Sequence, residues 1–459
     1  MAWFTKTNSN VGYLPDETPP FGKLLLYALQ QVIVMFPATI AVALITGFHI
    51  STTIFASGFA TLCFILVTKG KIPLYYGSSF SYIAAIFGLL ASENLVNLPL
   101  DEKISIATFG IVMSGLVSIL AGFIVIKVGR QAIEKILPAS ITGSIAMIIG
   151  LTLAGIAIKD AAPATAGPGF INNLPWIVSL VTLLSTILFS VYLKGFLSQL
   201  PLFLGMALGV VVAGILLAVT GNDLFRTLPE TVANQGIFAL PHFIIPKVYW
   251  PAALAIMPVA LATIPESTAH IYQLDVYVND LARKMGTQKK YDIASRLGSN
   301  LIGDGIGDMV AGFMGGPGGT NYGENISTMA ITRVFSVPVL IAAAIIAMII
   351  ACFTPLVKAI YAVPLSVIGG LEIYLFGAIA AQGIAIMIEK HVDMFDSKNI
   401  AVIATIMVIG IGGQYAFGGV IPFFGMELPA LATAAIFGIL LNTVLNLGKK
   451  KEVVHDKEL

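Results

Sequence analysis

The sequence predicts an all-α polytopic membrane protein with fourteen transmembrane segments arranged as two inverted repeats of seven. Of its 459 residues, 57% are hydrophobic and only 11% are charged, whereas a soluble domain carries about 25% charged residues. Apolar stretches of about 20 residues, enough to cross a hydrocarbon core of about 30 Å, recur from end to end of the chain. The third and tenth of these stretches are interrupted by sequences of Gly, Ser, Pro and Tyr that predict short extended segments.

The predicted spans follow the apolar stretches in chain order. They lie near 24–47, 50–68, 73–91, 104–126, 137–158, 175–193, 200–220, 250–273, 298–314, 317–331, 334–353, 365–388, 399–416 and 428–447. With the N-terminus inside, 20 of the 25 lysines and arginines fall in inside segments and 5 in outside segments. Cytoplasmic loops carry this excess of positive charge, so both termini are predicted to be cytoplasmic.

The two interrupted spans indicate a transporter. One contains Pro73–Phe80 and the other Gly315–Tyr322, and each continues as a short apolar helix. Non-helical backbone at membrane depth is tolerated only inside protein or along a wet cavity. Interrupted spans in corresponding places of two halves point to a substrate site. Residues 137–143 and 363–369, which open the fifth and twelfth spans, also resemble each other; the alternative is chance similarity between Gly/Pro-rich apolar segments.

Two carboxylates and a histidine occur where apolar residues belong. Glu266 and His270 are four residues apart and share one helix face. Glu324 follows Gly323 at a predicted helix start, whose backbone N–H groups are free, and Phe80 holds the equivalent place in the first half. This set suits a small, flat, neutral solute with alternating N–H and C=O groups, and Glu266 with His270 could carry the coupling proton. Alternatively, Glu266 and His270 form a buried structural pair, and Glu324 only favours the helix start.

Other polar residues have structural interpretations. Asp304 and Asp308 could hold an ion or cap a helix, and we expect structural or gating roles. Glu372, in the twelfth span, has no visible partner and could join a proton path or pair across the two halves. His49 and His242 fall in outside loops and are expected to be solvated.

Several classes of protein are disfavoured by the sequence. A net charge of +1 gives no basic field for nucleic acid. No HExxH, CxxC or nucleophile motif occurs, so we predict no enzyme, no metal and no cofactor other than the proton as coupling ion. Cys63 and Cys352 lie in apolar runs and are expected to be core residues outside any disulfide. A channel would need a polar line through many spans, whereas these polar groups cluster at one depth.

The tenth span resembles the signature of the nucleobase–ascorbate transporter family. Glu324, Asn325, Thr332 and Arg333 match that signature, and Ser327 stands where the family has a glycine. The purine branch usually carries glutamine at the position of Glu324, so the motif looks like the uracil permease branch. The resemblance covers essentially the whole chain.

Two further segments, residues 265–270 and 77–80, are similar to the same branch. The resemblance implies that Glu266 and Glu324 bind the base directly. It also implies that backbone N–H groups at Phe80 and Gly323 contact the base and that His270 helps through water. The expected function is proton-coupled symport of uracil across the plasma membrane, and a homodimer is the assembly we consider. The alternatives are a xanthine or uric acid permease and, less favoured, an anion transporter or channel of related fold.

The resemblance further implies a core domain made of spans 1–4 and 8–11 and a gate domain made of spans 5–7 and 12–14. The expected divisions are a cytoplasmic tail (1–23), the first core half (24–135), the first gate half (136–220), an extracellular loop (221–249), the second core half (250–353), the second gate half (354–447) and a cytoplasmic tail (448–459).

Overall fold

The chain folds mostly into helices. The computed structural model describes residues 4–9, 11–90, 92, 94–129, 137–162, 168–424 and 426–447. Within these ranges, 10 helical segments are long and apolar enough to cross a membrane, and two shorter apolar helices accompany them. The chain is therefore a multi-pass membrane protein. The predicted tail 448–459 lies outside the described residues, as do Arg130 and Lys135 of the charge count.

The α-helices follow the predicted spans in order, with a few short helices between them. They are α1 (Phe21–Thr46), α2 (Ile50–Val67), α3 (Ser81–Leu90), α4 (Leu100–Val128), α5 (Ala139–Thr152), α6 (Ala154–Ala161), α7 (Leu174–Tyr192), α8 (Pro201–Thr220), α9 (Glu230–Ala233), α10 (Trp250–Ile256), α11 (Ala260–Lys284), α12 (Leu297–Met314), α13 (Gly323–Thr332), α14 (Val337–Ala351), α15 (Thr354–Tyr361), α16 (Leu365–Glu389), α17 (Ser397–Phe417) and α18 (Ala430–Leu447). The strands are β1 (Thr5–Lys6), β2 (Glu17–Thr18), β3 (Tyr76–Ser78), β4 (Gly319–Asn321), β5 (Val420–Phe423) and β6 (Met426–Pro429).

The extended segments expected in the third and tenth spans are present as β3 and β4. They pair antiparallel, with Gly77 opposite Thr320, and α3 and α13 follow them along the chain. A Cβ on Gly77 would lie 2.3 Å from the ring of Tyr322, and one on Gly319 would lie 2.1 Å from the carbonyl oxygen of Gly77. Side chains at these two positions would block the pairing, so glycine is required for the strands to cross.

One group of helices packs through small residues. A Cβ on Gly115 of α4 would lie 2.4 Å from the carbonyl oxygen of Gly305 on α12. Two turns further along α4, a Cβ on Gly122 would lie 2.6 Å from the carbonyl oxygen of Gly298. Glycine lets the two backbones approach closely, which is how helices associate in lipid without a hydrophobic driving force. α2 packs on α14 in the same way.

A second group is built around the pair α5 and α16. A Cβ on Gly143 would lie 2.7 Å from the carbonyl oxygen of Gly383, and one on Gly150 would lie 2.3 Å from that of Phe376. α7 and α8 flank this pair on one side, and α17 and α18 flank it on the other. The outer faces of α7 and α8 expose many large apolar side chains, as expected of surfaces that face lipid tails.

The fifth and eighth predicted spans are each divided, the eighth by a 3-10 turn at Met257–Val259 between α10 and α11, and one helix runs past its predicted end. The fifth span is interrupted at Leu153, so α5 and α6 replace the single helix expected over 137–158. α11 runs on to Lys284, well beyond the predicted end at 273. Past that point the sequence is polar on average, but Leu274, Val278 and Leu281 are buried on one face. An amphipathic stripe therefore continues the helix after the continuous apolar run has ended.

The N-terminal segment is docked and is not a solvated tail. Tyr13 and Leu14 are buried. The backbone N–H of Tyr13 donates to the carbonyl oxygen of Arg333 at 2.8 Å, and the N–H of Phe335 donates to the carbonyl oxygen of Tyr13 at 2.8 Å. The segment therefore ties down the joint between α13 and α14.

Candidate functional site

Glu266 and His270 lie on one face of α11 and are both half-buried. Their neighbours Ser267 and Ile271 are buried, whereas Ala269 is exposed. Pro265 lies inside the helix immediately before Glu266, and a proline there removes one backbone hydrogen bond. The side chains on this face of α11 are therefore not fully packed, at a point where the helix is locally weakened.

α13 begins beside His270. Its first residue, Gly323, and the following Glu324 are both half-buried. A Cβ on Gly323 would lie 2.9 Å from Nε2 of His270, so the backbone passes directly against the imidazole. Tyr322 precedes the helix and gives it no side-chain cap. The first turn of α13 therefore presents backbone N–H donors, and the positive end of its dipole, beside the imidazole of His270.

Glu324 follows Gly323 along the chain and Glu266 lies one helical turn before His270, so the contact of Gly323 with His270 brings the two glutamate-bearing segments side by side. His270 interacts with the backbone of Asn321, and its Nδ1 is buried without a hydrogen-bond partner among the described residues. The fold thus brings together four of the predicted site residues: the two glutamates, the histidine and Gly323. Like charges in one space favour any ligand or proton that neutralises or bridges them.

Phe80 is linked to the group around His270 through the paired strands β3 and β4. It is half-buried, precedes α3 and packs between two apolar clusters of the protein. The hydroxyl of Tyr322 donates to the carbonyl oxygen of Ser78 at 2.9 Å, which joins the segment before Phe80 to the segment before Gly323. The start of α3 differs from that of α13, because Ser79 Oγ accepts the N–H of Ser81 at 3.2 Å.

A buried polar network supports the site from behind. Ser267 donates a short hydrogen bond to Oδ2 of Asp304 and accepts one from Nδ2 of Asn300 at 2.6 Å. Nδ2 of Asn321 lies 3.0 Å from Ser267 Oγ, 3.1 Å from Asn300 Oδ1 and 3.3 Å from Asp304 Oδ2. The network connects α11, α12 and β4, and it therefore fixes the positions of Glu266 and of the start of α13.

Asp308 holds the two strands in place. Its Oδ1 accepts from the hydroxyl of Tyr76 at 2.6 Å and from the N–H of Gly319 at 2.7 Å, and its Oδ2 accepts from the hydroxyl of Tyr82 at 2.9 Å. Asp304 and Asp308 both lie in the interior of α12, so neither caps that helix. Their hydrogen bonds agree with the expected structural role.

The remaining residues of the family signature do not belong to the group of side chains around His270. Asn325 is buried and donates from Nδ2 to Oε1 of Gln31 at 2.8 Å. The hydroxyl of Thr332 donates to the carbonyl oxygen of Thr328 at 2.8 Å. Arg333 ends α13 in the left-handed conformation, with φ 58°. These residues position α13 against its neighbours, and Ser327 is half-buried on the same helix.

Glu372 lies away from this site. It is fully buried on α16, and neither carboxyl oxygen has a hydrogen-bond partner among the described residues. It lines a small cavity together with Pro37 of α1 and Leu202 of α8.

Sequence reasoning missed the supporting residues. Ser267, Asn300 and Asn321 are polar residues on separate elements, and nothing in their spacing brings them together. The signal that was available is that Ser267 lies beside Glu266 and that Asn321 lies in the Gly-rich stretch before Glu324. The tyrosines that bind Asp308, Tyr76 and Tyr82, gave no signal beyond their place in the broken third span.

Comparisons with known proteins identify relatives of the chain. A family model described as "Permease family" matches residues 22–419. The uracil permease of Escherichia coli (strain K12) is 33% identical over 447 residues, which cover 96% of each chain. The uracil permease of Bacillus caldolyticus is 36% identical over 438 residues, which cover 94% of each chain.

Among solved structures, the chain is similar in fold to the murine Slc26a9 anion transporter in its inward-facing state. The TM-score is 0.65 at 13% sequence identity, and the match covers 93% of this chain and 68% of the other. At that identity the likeness concerns the fold alone.

Proposed function

This chain belongs to the nucleobase–ascorbate transporter family, and on that premise we propose that it is a uracil permease that carries uracil across the membrane together with protons. The observation that carries the proposal is the convergence of Glu266 and Glu324 on a half-buried space beside His270.

Uracil fits the donors and acceptors of this space. Carboxyl oxygens accept hydrogen bonds, and a protonated carboxyl group keeps acceptor capacity, so uracil can offer its two ring N–H donors to Glu266 and Glu324. The uncapped start of α13 at Gly323 offers backbone N–H donors for a carbonyl of the base. Phe80 is proposed to contribute through its own backbone N–H from the facing segment. A buried polar group left unpaired costs about 1–3 kcal/mol, so this pattern selects a base that satisfies every partner.

The coupling proton is proposed to bind at Glu266, with His270 as its partner. Glu266 and His270 lie one turn apart on the same helix, so a proton can pass between two titratable groups without leaving this face. A histidine four residues along the same helix face is a suitable second proton carrier. Substrate and proton then share one site, and each affects the occupancy of the other.

Packing supports fourteen segments in two inverted repeats of seven. Counting the spans in order, α4 (fourth) packs on α12 (ninth), and α2 (second) packs on α14 (eleventh). If the two halves of seven spans are exchanged, the fourth span becomes the eleventh and the ninth becomes the second, so the first contact becomes the second. The same exchange converts the contact of α7 with α8 into that of α17 with α18, and it maps the contact of α5 with α16 onto itself.

In this proposal the helices around α4 and α12 form the core, those around α5 and α16 form the gate, and both termini are cytoplasmic. The structural likeness to an anion transporter agrees with this architecture, while the pair of glutamates favours a neutral base over an anion.

Uptake by proteoliposomes tests the proposal. With an imposed inward proton gradient, labelled uracil should accumulate above its external concentration, and collapse of the gradient should abolish the accumulation. Uracil uptake that is independent of the proton gradient would contradict proton coupling but would still be consistent with a uracil permease.

The choice of base is tested separately by heat stability. Uracil should raise the thermal midpoint of the purified protein more than xanthine or uric acid at equal concentration. If xanthine gives the larger shift, the purine alternative is correct.

A further inference from the structure

Two histidines and an aspartate from three separate elements meet on the face opposite to the predicted cytoplasmic side. Nε2 of His49 lies 2.9 Å from Oδ1 of Asp101, and Nε2 of His242 lies 2.9 Å from Oδ2 of the same carboxylate. The two imidazole rings are in edge contact, with centroids 4.9 Å apart. One nitrogen of each histidine and a carboxylate oxygen all lie within 4.8 Å of one another.

The histidines were expected to be solvated, and for His49 that expectation is wrong. His49 is only 8% exposed. It is 52 residues from Asp101, and His242 is 141 residues from Asp101, so the cluster has no sequence motif. It is created by the fold and has no part in the proposed uracil site.

We propose that His49, Asp101 and His242 form a binding site for a divalent transition-metal ion of the zinc class. Two imidazole nitrogens and one carboxylate oxygen are a ligand set that zinc accepts, with a fourth position left for water. Zinc–ligand distances are about 2.0–2.2 Å, which places ligand atoms of a tetrahedral site about 3.3 Å apart. The two histidine–carboxylate separations of 2.9 Å would widen by a few tenths of an ångström, and the ligand atoms, which now lie within 4.8 Å of one another, would draw together around the ion. Calcium and magnesium prefer sites made of oxygen ligands and are not expected to bind here.

The backbone around the cluster is held by contacts that do not involve the ligand atoms. His49 precedes α2, and its carbonyl oxygen accepts the N–H of Thr53 at 2.9 Å. The carbonyl oxygen of His242 accepts from the hydroxyl of Thr52 at 2.7 Å. Asp101 lies in the first turn of α4. The ligands are therefore positioned before any ion arrives, which reduces the ordering cost of binding.

The segment that carries His242 is also fixed to α4 further along. The hydroxyl of Ser105 donates to the carbonyl oxygen of Ile245 at 2.6 Å, and the N–H of Lys247 donates to the carbonyl oxygen of Ser105 at 2.8 Å. The charge of Lys247 is paired with Glu102 at 2.6 Å. The nearby lysine is thus neutralised by its own partner and leaves Asp101 to attract the ion.

A bound ion would connect the turn between α1 and α2, the start of α4, and the segment that leads from α8 to α10. That last segment joins the two halves of the chain. Metal binding is therefore expected to stabilise the fold as well as to occupy a site, because a ligand that binds only the folded state raises its stability by mass action.

The test uses the full chain, purified without a polyhistidine tag, freed of metal with a chelator and titrated with zinc against a chromophoric competitor. We expect one zinc ion per chain and a higher thermal midpoint with zinc. His242→Ala, which removes a half-exposed side chain, and Asp101→Asn should each weaken zinc binding at least tenfold. His391→Ala is the matched control, because it removes an exposed histidine far from the cluster in sequence.

Cobalt provides a second measurement, since its visible absorption reports coordination by nitrogen and oxygen. The wild-type protein and His391→Ala should give the same cobalt spectrum, and His242→Ala should lose it. Zinc binding by His242→Ala as tight as that of the wild type, or the absence of a saturable site in the wild type, would overturn the proposal.

Discussion

Replacing Gly323 by alanine is expected to weaken uracil binding while leaving the fold intact. Gly323 is the first residue of α13 and does not require a positive φ, so alanine is compatible with its backbone. Alanine is favoured over glycine in helices by about 1 kcal/mol. The added methyl group would lie 2.9 Å from Nε2 of His270, which is the tip of a half-buried side chain and can shift. The thermal midpoint of the uracil-free variant should therefore stay near that of the wild type.

Uracil binding, unlike stability, should be weakened by this substitution. The methyl group would displace the imidazole and occupy the space through which the base reaches the backbone N–H groups of α13. Loss of one well-made polar contact in a partly desolvated site costs about 1–3 kcal/mol. Because 1.4 kcal/mol corresponds to a tenfold change, the dissociation constant of uracil should rise about ten- to a hundredfold. Gly323→Leu, with a larger side chain, should abolish binding.

Isothermal titration of the purified variants with uracil measures this effect directly. Gly214→Ala is a matched control, because Gly214 lies within α8 and a Cβ there meets no atom within 4 Å. Its uracil affinity should equal that of the wild type. If folded Gly323→Ala binds uracil within twofold of the wild-type value, the backbone of α13 does not approach the base and the proposed pocket is wrong.

Three further outcomes are expected. Glu266→Gln should still exchange uracil but should not accumulate it on a proton gradient, measured by uptake with Glu389→Gln as an exposed control; concentrative uptake by Glu266→Gln would contradict the coupling role. Asp308→Asn should lower the free energy of unfolding by about 1–3 kcal/mol. The carboxylate accepts hydrogen bonds from the hydroxyl of Tyr76 and the N–H of Gly319, and the amide nitrogen of asparagine cannot accept them. An unchanged thermal midpoint would contradict this prediction. Burial raises the pKa of Asp16, but hydrogen bonds from Lys289 and Tyr291 lower it by more, so the pKa lies below its usual value. This carboxylate therefore adds stability at neutral pH that is lost as pH falls below about 4, and Asp16→Asn should have a lower midpoint than wild type at pH 7 and a smaller difference in acid.

The sequence predicted those features that depend on local composition. Long apolar runs located the helices, and Gly-rich interruptions located β3 and β4, because backbone periodicity and glycine content are properties of a single segment. The boundary of α11 was missed because an amphipathic stripe is weaker than a continuous apolar run. The break at Leu153 was missed because that residue is apolar like its neighbours and carries no turn signal.

The candidate site was predictable only in part for a related reason. Glu266 and Glu324 stood out because carboxylates are costly in apolar spans. Asn300 and Asn321, which hold Ser267 in place, are uncharged, and their meeting depends on how α11, α12 and β4 pack. The same limit concealed the cluster around Asp101, whose histidines come from distant loops.

Hydrogen-bond satisfaction separates the acidic residues of the membrane region into classes that charge alone does not distinguish. Asp308 is buried, and both of its oxygens accept bonds from groups of the protein, so it has little capacity left for a ligand. Glu266 and Glu324 are only half-buried. A carboxylate can serve a ligand that arrives and leaves only if the protein does not already satisfy it, because a displaced internal hydrogen bond would offset the new one. Asp308 is therefore suited to hold the strands, and the two glutamates are the groups that we propose to bind the solute.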